Sequence, residues 1–491
     1  MLALYAHNVA EIHPAAALRP LVLSLCLGAI LLGLSRWVFR DGHHAALLAT
    51  LAIILFFSYG HIYGFLKPVA VLGEVVGRHR YLAVGWALLG ILGYLGIRRL
   101  RQPGRMAPTI NAAALALLIL PGVQIVSYDS RLRQADQAAE AVGEAAPPAA
   151  ALSDMPDIYY IILDAYTRGD ILDDAYGLDN RPFLNALEAR GFYVAECSQS
   201  NYARTSLSLG SSLNMEYLET FFPGDDSVGM TAFIRHNKVR LFLERAGYRV
   251  VAIDSGYPST QWTDADVYLQ PSGLPALRAA WVPGATEFES LLFRSTAGVL
   301  LLDADPSLGL GLTGLIEDAP KVDRYNEIRA AFTSLEEATD ARGPKLVFVH
   351  IRIPHDPYLF GRDGRFLPDQ TAHDPGYPDQ VQYVNSRMLP ILDRILQSAG
   401  VPPIVILQGD HGSPEFRTDA RRMKILNAYL VPARVADHLY ASVTPVNTFR
   451  LILDGVFGTK LGTLPDRSYL SLPGTDMDFT LIPEDRGNCR D

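Results

Sequence analysis

Five short stretches of this chain carry side chains that could act together on a substrate. Asn201 to Asn214 reads NYARTSLSLGSSLN and holds six hydroxyls, those of Tyr202, Thr205, Ser206, Ser208, Ser211 and Ser212. Gly409 to Gly412 reads GDHG, which sets the Asp410 carboxylate beside the His411 imidazole between glycines that allow a sharp turn. Both groups ligate Zn²⁺ or Mn²⁺. An Asp capping a turn next to an unrelated His would read the same way. Pro354 to Tyr358, PHDPY, holds His355 between prolines that stiffen the segment; a surface histidine is the plainer alternative. Asp164 follows the run YYIIL, where a helix N-cap is an ordinary role for it. His350, inside the run LVFVH, is equally well a core histidine.

Among the six hydroxyls, position separates one from the rest. Thr205 stands at the start of an expected helix, SLSLGSSLNMEYL, where free backbone N–H groups and the positive dipole end stabilise an alkoxide or a transferred anion. The later serines lie a turn or more inside, turned away or buried. A threonine alcohol is a poor nucleophile at its free pKa, so it needs a metal beside it. Asp164, Asp410 and His411 could supply that metal site, with Thr205 itself as a further ligand.

The elements that must position these groups alternate regularly. DIYYIILDAYTR reads as a strand, PFLNALEARG as a helix ended by Gly191, and GFYVAE as a strand. NKVRLFLERAGYRVVAID, EIRAAFTSLEEATDARGPKLVFVHI and VNSRMLPILDRILQSAGVPPIVILQGDHG each read as a helix followed by an apolar strand. This is the pattern of an α/β body with a mostly parallel sheet, whose ligands gather at the carboxyl ends of the strands. Three expected strands end in Asp164, in His350 with His355, and in Asp410 with His411.

Ahead of the body the composition changes. The whole chain is 49% hydrophobic and 19% charged, and four apolar stretches stand out: Pro20 to Phe39, Ala45 to Leu66, Tyr81 to Ile97 and Ala107 to Tyr128. Each has the length a helix needs to cross about 30 Å of hydrocarbon at about 1.5 Å per residue. Up to Tyr128 there are ten Lys and Arg against three Asp and Glu, a charge of +7, which leaves −16 of the total −9 for the remainder. So acidic a body argues against nucleic acid as partner, because phosphate backbones are met by basic faces. Basic residues are balanced between the two sets of loops. The arginines of the third loop (Arg98, Arg99, Arg101 and Arg105) favour that loop in the cytoplasm and the C-terminal body outside. The opening residues are either a short external segment or the remainder of a further span. Residues 129–155, rich in Ala with a Pro pair, read as a tether whose first half could be helical. The expected division is therefore a membrane part at 1–128, a linker at 129–155 and a catalytic body at 156–491. Ser295 to Leu315 is apolar but too broken for a span, and could lie against the membrane, line a lipid pocket or form a core loop. Cys26 lies in an apolar run, so at most one disulfide, Cys197 to Cys489, is open to the body. Three cysteines resemble neither a disulfide framework nor a cysteine metal site.

The order of parts, strand-Asp, Thr-x-x-Ser, a His-bearing Pro loop and Asp-His-Gly behind several spans, resembles the alkaline phosphatase and sulfatase superfamily. It is most similar to the membrane-anchored branch that includes lipoteichoic acid synthase and the phosphoethanolamine transferases. The resemblance covers about Pro156 to Gly458 and the spans in front. It implies an N-terminal transmembrane helical bundle followed by an α/β alkaline-phosphatase-like domain with a mostly parallel central sheet. At matching positions it implies Asp164, Thr205, Asp410 and His411 around one divalent metal, Mn²⁺ or Zn²⁺, with Thr205 as nucleophile. His355 would contact the phosphate or protonate the leaving group, and Ser208 and His350 would bind substrate. Asp164 departs from the glutamate of the transferases. Cys197 is followed by SQSN rather than the Pro and Arg a sulfatase requires, so sulfatase chemistry is disfavoured. The implied activity is transfer of phosphoglycerol or phosphoethanolamine from a membrane phospholipid to a surface glycan or lipid through a phosphothreonine, in the plasma (inner) membrane with the body facing the periplasm or exterior. A phosphodiesterase, phosphatase or other sulfatase-like hydrolase, and a non-catalytic glycan-binding protein, are the alternatives.

Overall fold

The computed structural model describes residues 1–10, 12–71, 74–75, 77–141, 155–220, 227–270, 284–373, 375–471 and 478–483. The chain forms two compact units, 1–129 with 273–322, and 130–272 with 323–491.

Among the described residues four helices are long and apolar enough to cross a membrane: α1 Leu18–Val38, α2 Gly42–Leu66, α3 His79–Arg99 and α4 Ala107–Ala141, the last lying in the first unit up to Asp129. They match the four apolar stretches, and α4 runs on through the first half of the expected tether. Residues 142–154 lie outside the described residues. Asp41 caps α2 by accepting from the His44 N–H.

The expected boundaries miss one feature. Residues 284–322 belong with these helices rather than with the body, so the stretch Ser295 to Leu315 is neither a span nor a core loop of the body. It contributes helices α5 Glu287–Arg294 and α6 Val299–Leu308. A capping box between Thr286 and Glu289 starts α5. Contacts with α2 are close. The Ala297 N–H donates to the Phe56 carbonyl at 2.7 Å, and a Cβ on Gly60 would come within 2.3 Å of the Arg294 carbonyl oxygen. Asp303 accepts from the Tyr63 hydroxyl at 3.0 Å and also pairs with the His79 ring.

The second unit is built on a seven-stranded sheet. Its strands are β1 Ile158–Leu163, β2 Tyr193–Val194, β3 Arg249–Ile253, β4 Val267–Leu269, β5 Lys345–Ile351, β6 Ile404–Gly409 and β7 Asn427–Leu430. The order is β2-β7-β6-β1-β5-β3-β4. Strands β6, β1, β5, β3 and β4 are parallel, and β7 and β2 add antiparallel pairs at one edge. β1 is buried on both faces, as a parallel central strand must be. Tyr159, Ile161 and Leu163 enter one core with Phe332, Val384 and Leu392, whereas Ile158, Tyr160 and Ile162 enter the other with Leu209, Phe348 and Phe449. Helices α7 Ala319–Ala338, from Asp323 onward, and α9 Gly376–Ser398 supply the first core. Helices α8 Thr205–Asn214 and α10 Pro445–Phe457 supply the second.

The mostly parallel α/β body is therefore as expected, and register makes it useful. Leu163 pairs with Ile351 on one side and with Gly409 on the other. Three neighbouring strands thus end level, and whatever follows them converges.

Candidate active site

Asp164 continues directly from β1, Asp410 and His411 from β6, and His350 lies one residue before the end of β5. The glycines of GDHG are there because backbone passes close by. A Cβ on Gly409 would stand 2.3 Å from the Tyr166 carbonyl oxygen, and one on Gly412 would stand 2.9 Å from the Arg422 and Lys424 carbonyl oxygens. Ala165, next to Asp164, has φ 64, a left-handed conformation that costs a non-glycine residue about 1 kcal/mol or more. In that conformation its N–H donates to Asp410 Oδ1 at 2.9 Å. The His411 N–H donates to the same oxygen at 2.9 Å. One Asp410 oxygen is thereby fixed by two backbone donors, and the other is left to the site.

The remaining atoms define a small acceptor-rich centre. Asp164 Oδ1, Asp410 Oδ2 and His350 Nε2 are buried without a hydrogen-bond partner. His411 Nε2 lies 3.7 Å from Asp164 Oδ1 and 3.5 Å from Asp410 Oδ2, and His350 Nε2 lies 3.5 Å from Asp164 Oδ2. His411 Nδ1 donates to the Gly412 carbonyl at 3.0 Å, a bond that leaves the Nε2 lone pair facing the carboxylates. Two sets of three, Asp164 with His355 and His411, and Asp164 with His350 and Asp410, have ligand atoms close enough to hold a metal ion. Buried acceptors without donors are what a divalent cation satisfies, so the residues present fit one.

Thr205 is the first residue of α8, as expected, and its Oγ1 lies 3.4 Å from His411 Nε2. Ser208, one turn on, is fully buried with its hydroxyl unpartnered. Ser211 donates to the Glu216 carbonyl, and Ser212 lies 3.0 Å from the Tyr160 hydroxyl. Those two serines serve packing. His355 is held on its loop by backbone bonds: its N–H donates to the Asp164 carbonyl at 3.1 Å, and Gln380 donates to the Pro354 and His355 carbonyls. Its ring stands edge-on to that of His411, with centroids 5.9 Å apart, and Nδ1 lies 2.8 Å from the Asp356 carboxylate. His350 is only 1% exposed, between Thr260 Oγ1 at 3.1 Å and Asp164.

Electrostatics follow this packing. Burial alone would raise the Asp164 carboxyl, but His355, His350 and His411 hold it well below the ordinary carboxylate range. Burial opposes a charged His355, yet Asp164 and Asp356 lift it above its usual value. Burial, with the Arg422 cation beside it, pushes His411 down to about 4, so its ring is neutral and able to ligate at physiological pH.

Arg422 is a candidate site residue that sequence alone did not single out. Its side chain is buried; Nε donates to the Ala203 carbonyl at 3.1 Å, Nη2 donates to His411 Nε2 at 3.2 Å, and Nη1 has no partner. A guanidinium is thus anchored two residues before Thr205 and aimed at the same point as the Thr205 hydroxyl. Four basic residues, Arg417, Arg421, Arg422 and Lys424, crowd this stretch of sequence, and nothing local marks which one turns inward.

No family model matches the chain, and no curated protein does. Several solved structures are similar to it. The C-terminal periplasmic domain of EcEptC from Escherichia coli in complex with Zn matches at a TM-score of 0.43 and 13% identity, over 70% of this chain and 97% of that one. The integral membrane lipooligosaccharide phosphoethanolamine transferase A of Neisseria meningitidis matches at 0.37 and 11%, over 84% and 82%. The lipoteichoic acid synthase LtaP of Listeria monocytogenes matches at 0.36 and 13%, over 63% and 73%. At such TM-scores the chemistry has to be read from the site itself.

Proposed function

We propose that this chain is a membrane-anchored, metal-dependent phosphotransferase that moves a phospho-alcohol group from a phospholipid to a glycan or lipid hydroxyl through Thr205. The observation that carries this reading is the Thr205 hydroxyl, at a helix start, 3.4 Å from His411 Nε2 and beside the buried, donorless oxygens of Asp164 and Asp410. Asp164, Asp410, His411 and Thr205 would hold the ion, with His350 orienting Asp164 from behind. A bound Mn²⁺ or Zn²⁺ would supply the Lewis acidity that lowers the pKa of the Thr205 hydroxyl.

The chain's own groups account for the rest. Thr205 Oγ1, its proton released to solvent, attacks the phosphorus of the donor, and the bond from phosphorus to the diacylglycerol oxygen breaks. His355, lifted above its usual pKa, gives its proton to that oxygen. Arg422 and the N–H groups at the start of α8 hold the non-bridging oxygens as charge develops. The acceptor hydroxyl then attacks the phosphothreonine, returns a proton to His355 and frees Thr205. Ser208, a turn behind Thr205, supports the same group. The body's place on the exported side is supported by Cys197, which is disulfide-bonded, because such bonds persist in oxidising compartments. This also corrects the expectation against a bridge: Cys26 is free, and Cys489 lies outside the described residues.

Membranes containing the protein, supplied with phospholipid labelled in the headgroup phosphate, test the reading. Label should appear on Thr205 by mass spectrometry and then on a glycan or lipid. Release of all label as free phospho-alcohol would make the protein a hydrolase, and unconsumed donor in the presence of Mn²⁺ and Zn²⁺ would remove the enzymatic reading.

A further inference from the structure

The body's excursion into the membrane unit creates a second candidate binding site. A cavity of about 480 Å³ lies between α1, α2 and residues 284–316, lined by Leu23, Leu27, Phe56, Phe57, Leu292 and Phe293 among others. That volume is within the roughly 300–1,000 Å³ range of ligand pockets. At one end the walls become charged: Arg19 pairs with Glu289 and donates to the Gly284 carbonyl at 2.6 Å.

Helix geometry gives its depth. Leu23 and Leu27 lie five and nine residues inside α1, which begins at Leu18, or about 8 to 14 Å along it. Phe56 lies ten residues before the end of α2 at Leu66, or about 15 Å from it. Tyr59, Tyr63 and Trp86 cluster with His79 on the same end of the bundle, the aromatic belt expected where hydrocarbon meets headgroups. The apolar lining therefore sits at acyl-chain depth, and the Arg19–Glu289 pair sits toward the headgroups. The excursion is itself apolar outward: Leu301, Leu308, Leu310 and Leu315 are exposed, Leu310 to 56%. Such a surface is stable in lipid, not in water.

We propose that this groove is a seat for one membrane phospholipid, with an acyl chain along Leu23, Leu27, Phe56 and Phe293 and the headgroup at Arg19 and Glu289. Water does not fill it, because a buried water needs two or more polar partners and the lining offers few. At this depth the surrounding solvent is acyl chain, and the paired charges of opposite sign at the mouth match a headgroup that carries phosphate and ammonium. The seat goes beyond the phosphotransferase reading and does not depend on it.

Photolabelling tests the seat. The full-length chain is placed in nanodiscs containing phosphatidylcholine with a diazirine midway along one acyl chain, irradiated, digested and mapped. Labelling should concentrate on peptides holding Phe56–Phe57 and Leu292–Phe293, above that on the exposed Leu117 and Leu120 of α4. Filling the groove with Ser24→Trp, or independently with Leu27→Trp, should lower groove labelling by roughly threefold or more, the effect of about one buried methylene. Thr205→Ala should leave labelling unchanged, which separates the seat from the chemistry. Labelling no greater than on α4, unchanged labelling in both tryptophan variants that keep wild-type thermal stability, or occupation of the groove by a second protein chain would overturn it.

Discussion

The site depends on single atoms left without donors, and its predictions are correspondingly local. Thr205→Ala should lower turnover by roughly 10³-fold or more while metal content by elemental analysis stays near that of wild type, because Asp164, Asp410 and His411 remain. Full activity in that variant would remove Thr205 as nucleophile. Arg422→Ala should lower kcat by about 10²- to 10³-fold, the effect of losing a preorganised oxyanion donor. Arg422→Lys should recover only part of it, since an ammonium keeps the charge but not the planar fork. The titration of His411 gives a stability test with a definite sign. Its ring titrates near 4 in the fold against about 6.5 in the unfolded chain. Below 6.5 the unfolded chain takes a proton that the fold refuses, so the metal-free protein should lose a few kcal/mol as pH falls from about 6.5 to 4. His355, whose folded value is raised, contributes a constant amount across that window, and the stability that Asp164, whose value is depressed, contributes is lost only below it. Melting curves should therefore show a slope between pH 6.5 and 4 that His411→Gln flattens.

At the scale of elements, the level ends of β1, β5 and β6 convert sequence-distant residues into one centre. Gly409 is where that alignment is most exposed to a test. A methyl group there meets the Tyr166 carbonyl oxygen, and backbone has little room to yield in a close-packed interior. Gly409→Ala should cost about 1–3 kcal/mol and displace Asp410 and His411, seen as a lower melting temperature together with weaker metal retention. An unchanged metal affinity would mean that β6 can shift without moving its end. Asp164, Thr205, Asp410 and His411 were legible because each immediately follows a strong local pattern, an apolar run or a helix start. Arg422 was not, and His350 was legible only as an even choice between core and substrate contact, since both are assigned by what packs around them. His350 could be a strand's buried member or a substrate contact until Thr260 and Asp164 are placed on either side of its ring.

At the scale of the whole molecule, the chain divides by solvent: helices suited to hydrocarbon, and a body whose oxygens and imidazoles need water and ions. Orientation is testable by labelling. A cysteine substituted for Arg101, in the third loop, should react with a membrane-impermeant maleimide only after permeabilisation, whereas one substituted for Lys460, exposed on the body, should react in intact cells. The reverse pattern would place the body in the cytoplasm. Sequence alone determined the four span-length apolar helices, the parallel α/β body and the place of Thr205 at a helix start, because hydropathy, periodicity and helix termini act over a few to about twenty residues. Only the tertiary structure decided that Arg422 turns inward, that Cys197 is bonded, and that residues 284–322 group with the membrane helices and pack against α2. These depend on which distant backbones come close enough to bury a charge, join two sulfurs or bring Gly60 against Ser295, and no local pattern encodes such proximity.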